Sequence, residues 1–137
     1  MRVSVVAVAL DPTKREEFEA LLSYHWKEWV EASLKRRGVD PWAQEHPGQF
    51  LQESCKTEFS ITQCDVVLYL REHGIPDNVA NTDPARGRME GHNVYQINGK
   101  WRFEYIEKGC GCVSRDCGSI EEALTFLVKD CFSYLPE

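Results

Sequence analysis

Three cysteines, Cys110, Cys112 and Cys117, fall within the thirteen residues EKGCGCVSRDCGS (107–119), and Cys131 follows on the next predicted helix. Thiols this dense can hold a metal, close a disulfide or respond to redox state. A structural zinc site uses four ligands, commonly as two short Cys-x-x-Cys pairs. Cys110-x-Cys112 with Cys117, Cys131 and the upstream His92 does not reproduce that spacing, so no metal or other cofactor is expected. On a strand, Cys-x-Cys points both side chains to one face about 7 Å apart, too far for an unstrained disulfide. The simpler reading is structural. Cys110 and Cys112 share one face of a strand, and Cys117 fills a small apolar position before a helix. Cys55 and Cys64 lie in helical stretches, and six cysteines in a chain read as cytoplasmic are expected as reduced thiols. A metal-binding or redox-responsive protein is the alternative these cysteines keep open.

Other groups give weaker signals. The histidines, His25, His46, His73 and His92, show no metal-ligand spacing and read as structural or solvated. There is no G-x-S-x-G elbow, and Cys and His in one chain are no sign of a nucleophile by themselves. The glycines open no helix in a phosphate-binding pattern. Glu104 and Glu107 are expected on a strand facing solvent. The chain is therefore read as a protein without catalytic activity.

Charge narrows the partners. The 137 residues carry 16 basic and 22 acidic side chains, a net charge of -6. That balance disfavours nucleic acid and anionic membranes and favours a basic protein partner. Residues 38–93 hold nine acids against four bases, so the middle of the chain is its acidic part. The opening MRVSVVAVALDP resembles a short secretory leader but is read as a buried strand, and no stretch reaches the roughly 18 apolar residues of a membrane span.

The elements that would position these groups follow from periodicity and punctuation. Residues 3–10 are β-branched and nearly continuous, as in a central strand. Asp11-Pro12 starts a helix whose apolar stripe runs Phe18, Leu21, Leu22, Trp26, Trp29, Val30 and Leu34 and which ends at Gly38 behind Lys35-Arg36-Arg37. Pro41, Pro47 and Gly48 reduce the next segment to one or two short helical turns. A second helix spans about 62–73, with Thr62-x-x-Asp65 as a cap and Gly74 at its end. Residues 76–92 are aperiodic and rich in turn formers, the profile of a binding loop. Asn98-Gly99 then closes a hairpin, a third strand covers about 110–116, and Ser119 with Glu122 caps a last helix. The order predicts one α+β domain over 1–137. Its mainly antiparallel sheet, the N-terminal strand plus the hairpin and third strand, is packed by three to four helices.

Within 94–128, YQINGKWRFEYIEKG followed by a short strand and SIEEALTFLV resembles the C-terminal signature of small bacterial immunity proteins of polymorphic and contact-dependent toxin systems. Trp101, Tyr105, Glu107, Lys108, Gly109, Ser119 and Ala123 match it, while Cys117 replaces a large apolar residue, usually Phe. The resemblance implies a cytoplasmic, non-catalytic protein that binds and neutralises a cognate secreted toxin. It does not imply which toxin. Such a protein would be a monomer or weak dimer. A regulatory ligand-binding module is a further alternative.

For a toxin interface, the acidic middle and the long loop supply Asp77, Asp83, Arg86, Arg88, Met89 and Glu90, with Trp42 and Phe50 as aromatic anchors. Trp42 has a second reading, as a plug over the end of the first helix.

Overall fold

The computed structural model describes residues 12–83, 85, 89–108 and 111–137. The expected strand at 3–10 and Cys110 lie outside the described residues. The described chain is an α+β structure of five helices and a three-stranded antiparallel sheet. It divides into two compact units, one of residues up to Asp65 with Ser133–Glu137, the other Val66–Phe132.

The first unit is helical: α1 (Pro12–Leu22), α2 (Trp26–Arg36), a 3-10 turn at Pro41–Ala43, and α3 (Pro47–Glu58). The single helix expected between Pro12 and Gly38 is thus two. The cause is a C-terminal motif at Tyr24, which takes a left-handed φ of 61°. His25 N–H donates back to the Ala20 carbonyl and Tyr24 N–H to that of Leu21, satisfying the orphan carbonyls of α1. The same pair of bonds closes α2, from Val39 to Leu34 and from Gly38 to Lys35, with Gly38 at φ 78°. Glycine announces the second end in the sequence; tyrosine, strained in this region, hides the first.

The segment expected as short turns is α3, a helix of twelve residues. Pro47 stands in its first turn, where its missing N–H costs nothing, and Leu51, Ser54 and Cys55 turn one face inward. Helix α3 is fastened to α2 through Glu58, which accepts from Ser33 Oγ at 2.9 Å and pairs with Arg37. Burial would raise the carboxyl of Glu58, but hydrogen bonds from Thr57, Ser33 and Arg37 outweigh it and hold the group below its ordinary range. Phe18, Leu21, Val30, Leu34, Leu51, Phe59 and Ile61 form this unit's core. Each contributes about 1.5–3 kcal/mol by leaving water.

Helix α4 (Gln63–His73) starts in the first unit and runs into the second. Its cap is reciprocal, as the sequence indicates: Thr62 N–H donates to Asp65 Oδ2 at 2.9 Å and Asp65 N–H to Thr62 Oγ1 at 3.2 Å.

In the second unit, β1 (Gly91–Ile97), β2 (Lys100–Glu107) and β3 (Gly111–Cys117) pair in sequence order. Ile97 faces Lys100 across the Asn98-Gly99 turn, where φ is 51° and 78°, as a type I′ turn requires. Ser119 Oγ accepts from Glu122 N–H at 3.2 Å and starts α5 (Ile120–Cys131). Ala123, Leu124, Leu127 and Val128 of α5 are buried. Phe126 stacks 6.1 Å from Phe103, so α5 covers the sheet face that also carries His92, Val94 and Tyr105. Cys117 is buried as expected; Cys112, opposite Ile106, is exposed, as is the rest of the edge strand β3 on both faces up to Asp116.

Candidate functional site

The long loop is fastened at its roots by two buried asparagines. Asn81 Nδ2 donates to Asn93 Oδ1 at 3.0 Å, and Met89 N–H donates to the same oxygen at 3.1 Å. Asn93 Nδ2 donates to the carbonyls of Met89 at 2.6 Å and Gly91 at 3.2 Å. Two bonds accepted and two donated fill the amide's capacity, and Asn93 is fully buried. The backbone completes the clasp, with Asn81 N–H on the His92 carbonyl and Val94 N–H on the Asn81 carbonyl, both at 2.9 Å. Beyond it the chain is shaped by its own side chains: Asp83 N–H donates to Asn81 Oδ1 and Ala85 N–H to Asp83 Oδ1. The described ends of this stretch are thus joined, as at the base of an Ω-loop. Asp83, Met89 and Glu90 are exposed on it.

His92 stands at the root of this loop and joins it to α5. Its Nε2 lies 2.6 Å from Asp130 Oδ2, and its Nδ1 lies 3.6 Å from Cys131 Sγ. Since a carboxylate only accepts, Nε2 carries the proton and Nδ1 faces the thiol as acceptor. The rings of Tyr105 and Phe103 lie 4.8 and 6.1 Å from the imidazole and fix its plane. The Cys131 end of α5 is the negative pole of the helix, which opposes a thiolate and favours an imidazolium by about 0.3–1 kcal/mol each. Charge-assisted hydrogen bonds contribute about 1.5–3 kcal/mol, so the local partners decide the state of this group. Cysteine, histidine and a carboxylate in this order can hold a thiolate beside a protonated base.

The other thiols differ. Burial pushes Cys55 up to about 12, and its thiol donates to the Leu51 carbonyl. Burial, with Glu122 adding to it, also raises Cys117. Both are held as neutral thiols.

Glu104 is not solvent-facing as expected. It is buried, accepts from Tyr95 Oη at 2.8 Å and from Ser114 Oγ at 3.3 Å. These partners let a carboxylate stay inside, and burial together with Glu104 raises the Tyr95 phenol. Glu107 is exposed, as expected. Beside Tyr95 a cleft of about 460 Å³ is lined by Leu70, Ile75, Val94, Trp101, Ile120 and Leu124, with Arg71, Thr82 and Gln96 as polar groups. Arg71 is ion-paired to Glu121 at 3.0 Å.

Of the expected interface residues, Trp42 and Phe50 belong to the first unit, and Asp77, Asp83, Met89 and Glu90 to the second. The clasp brings Asp83, Met89 and Glu90 onto one loop; Asp77 is exposed in the turn before Asn81. Arg86 and Arg88 lie outside the described residues. Trp42 is no plug. It is 59% exposed, its N–H caps on Asp40 and its indole Nε1 donates to Glu31 at 3.0 Å. Hydrogen bonds from Lys35 and then Trp42 keep the Glu31 carboxyl below its usual range. Phe50 is half-buried on α3.

The chain matches no protein-family model, no curated protein and no solved structure. Among the described residues no group of three or more His, Cys, Asp or Glu is arranged to hold a metal, and no helix is long and apolar enough to cross a membrane. Asn81, Asn93 and Asp130 were not singled out by spacing, and His92, considered with the cysteines, was read as structural or solvated. The two asparagines flank the loop and could have been read as its closures, whereas the 39 residues separating His92 from Cys131 carry no local signal.

Proposed function

We propose that this protein is an immunity-type inhibitor that binds and neutralises a cognate secreted protein toxin in the cytoplasm, without catalysis, as a monomer or weak dimer. The observation that carries this reading is the clasped loop with its exposed Asp83, Met89 and Glu90. Its base is rigid, so Asp83, Met89 and Glu90 meet a partner with little ordering cost, an apolar anchor between two charges. The net charge of -6 suits a basic toxin, for which complementary charge accelerates association. The resemblance of residues 94–128 to immunity proteins supports the same class, and exposed Trp42 supplies an aromatic anchor of the kind that dominates interfaces.

The test is protection. Candidate toxin domains from the genes flanking this one are expressed from an inducible promoter in cells with and without this chain. Survival that requires this chain is expected. Equal killing in both strains, or the lack of any toxin gene beside it, overturns the reading.

The apolar cleft favours a second reading, a module that binds a small apolar ligand. Trp101 lines the cleft, so quenching of its fluorescence by such a ligand, abolished by Leu124→Trp, would support that use. Absence of any response across a panel of fatty acids and aromatic acids would count against it.

A further inference from the structure

We propose that Cys131 is a nucleophilic thiol, activated by His92 and Asp130, that exchanges with low-molecular-weight disulfides at the root of the loop. Four features carry this. The sulfur faces Nδ1 of His92 at 3.6 Å, the other ring nitrogen is held by Asp130 at 2.6 Å, and aromatic rings of β2 fix the imidazole plane. Cys131 is half-buried, open enough for a small co-reactant, unlike Cys55 and Cys117.

Among the described residues, the charged and titratable groups that face His92 are Asp130 and Cys131 from α5 and Tyr105 from β2. None of them is a cation, so a proton on the imidazole meets an anion on one side and the thiol sulfur on the other. Transfer of the thiol proton to Nδ1 gives a thiolate beside an imidazolium, with Asp130 opposite. The thiolate attacks one sulfur of the disulfide. A new Cys131 S–S bond forms, the original S–S bond breaks, and the departing half leaves as a thiolate that takes the proton from His92. Cys131 sulfur is oxidised and the departing sulfur reduced, with no other oxidant required. The adduct separates Cys131 from His92, whose carbonyl helps close the clasp.

The experiment treats the intact protein with oxidised glutathione between pH 6 and 9 and follows each cysteine by peptide mass spectrometry. Exposed Cys64 and Cys112 serve as internal references. Only about 1% of an unassisted thiol is ionised at pH 6.5. We expect Cys131 to be modified first at that pH, and thiolate absorbance at 240 nm to be lost in Cys131→Ser. His92→Gln should slow modification of Cys131 at least ~10-fold at pH 6.5 while the rates converge near pH 9. Asp130→Asn, which alters an exposed carboxylate and keeps the fold, should slow it several-fold. Modification of Cys131 at one rate in wild type and Asp130→Asn, or no thiolate absorbance assignable to Cys131 at pH 6.5, overturns the proposal.

Discussion

The two units bury polar groups for different ends. In the helical unit Glu17, on α1, is 2% exposed, and its carboxylate accepts from Ser60 N–H, Ser60 Oγ and Ile61 N–H. Those donors precede α4, so one side chain stitches stretches of chain more than forty residues apart into one core. In the sheet unit Asn93 is as deeply buried, yet its bonds hold an excursion open toward solvent. The thiols repeat the contrast: Cys55 lies neutral in the helical core, and Cys131 lies against an imidazole beside the loop. Polar burial closes the first unit and equips the second.

The largest break in that comparison is Glu17→Ala. It removes three accepted hydrogen bonds at once: the buried Ile61 N–H is left unsatisfied at about 1–3 kcal/mol, and the two donors of exposed Ser60 lose about 0.5–1.5 kcal/mol each. A loss of about 4 kcal/mol in urea unfolding is expected; a loss below about 1 kcal/mol would show that water or another group takes over.

Asn93→Ala should cost less, about 2–3 kcal/mol, because part of the loop can turn its freed groups to solvent. Its distinctive effect is local. Amide exchange at Met89 and Val94 should accelerate far more than at Leu34 in the other unit. Uniform acceleration would mean that Asn93 supports the core and not the loop.

The thiols sharpen the contrast through pH. Cys55 is raised to about 12 in the folded protein, so the unfolded chain ionises first as pH rises. Its contribution to stability is complete below about pH 9 and is lost as pH climbs toward 12, at about 1.4 kcal/mol per pH unit for one proton. Chemical denaturation at pH 8 and pH 10 should therefore show a smaller alkaline loss in Cys55→Ala than in wild type. Equal losses would place the titrating group elsewhere.

The smallest effect separates the two helix ends. Gly38→Ala should destabilise by about 1 kcal/mol, since alanine resists the left-handed φ that glycine accepts. Tyr24→Gly at the equivalent position should cost nothing in backbone terms, so its unfolding midpoint should fall less than that of Gly38→Ala.

What was legible in the sequence follows from how local each signal is. The Asn98-Gly99 turn, the Thr62–Asp65 and Ser119–Glu122 caps, Gly38 and Gly74 all act within a few residues, and their elements stand where the pattern puts them. Tyr24 broke a continuous apolar stripe without a breaker residue, and Pro47 opened a helix where prolines suggested only turns. The loop was visible as aperiodic sequence. Its clasp was not, because Asn81 and Asn93 meet through a bridge twelve residues wide. Glu104 looked solvent-facing because alternation along a strand cannot tell a buried face from an open one. The pairing of His92 with Asp130 and Cys131 depends on α5 returning over β1 and β2, a tertiary event with no local trace.

The claim that the clasped loop is the binding surface is tested most directly by titrating a toxin domain whose killing this chain suppresses against wild type and the double variant Asp83→Lys, Glu90→Lys. Both side chains are exposed and Asp83→Lys gives up the Ala85 N–H bond at Asp83 Oδ1, so circular dichroism should stay unchanged and the urea midpoint should shift little. The account predicts a Kd at least ~100-fold weaker for the double variant, with the association rate falling and its salt dependence reduced. An unchanged Kd in a folded double variant would contradict it.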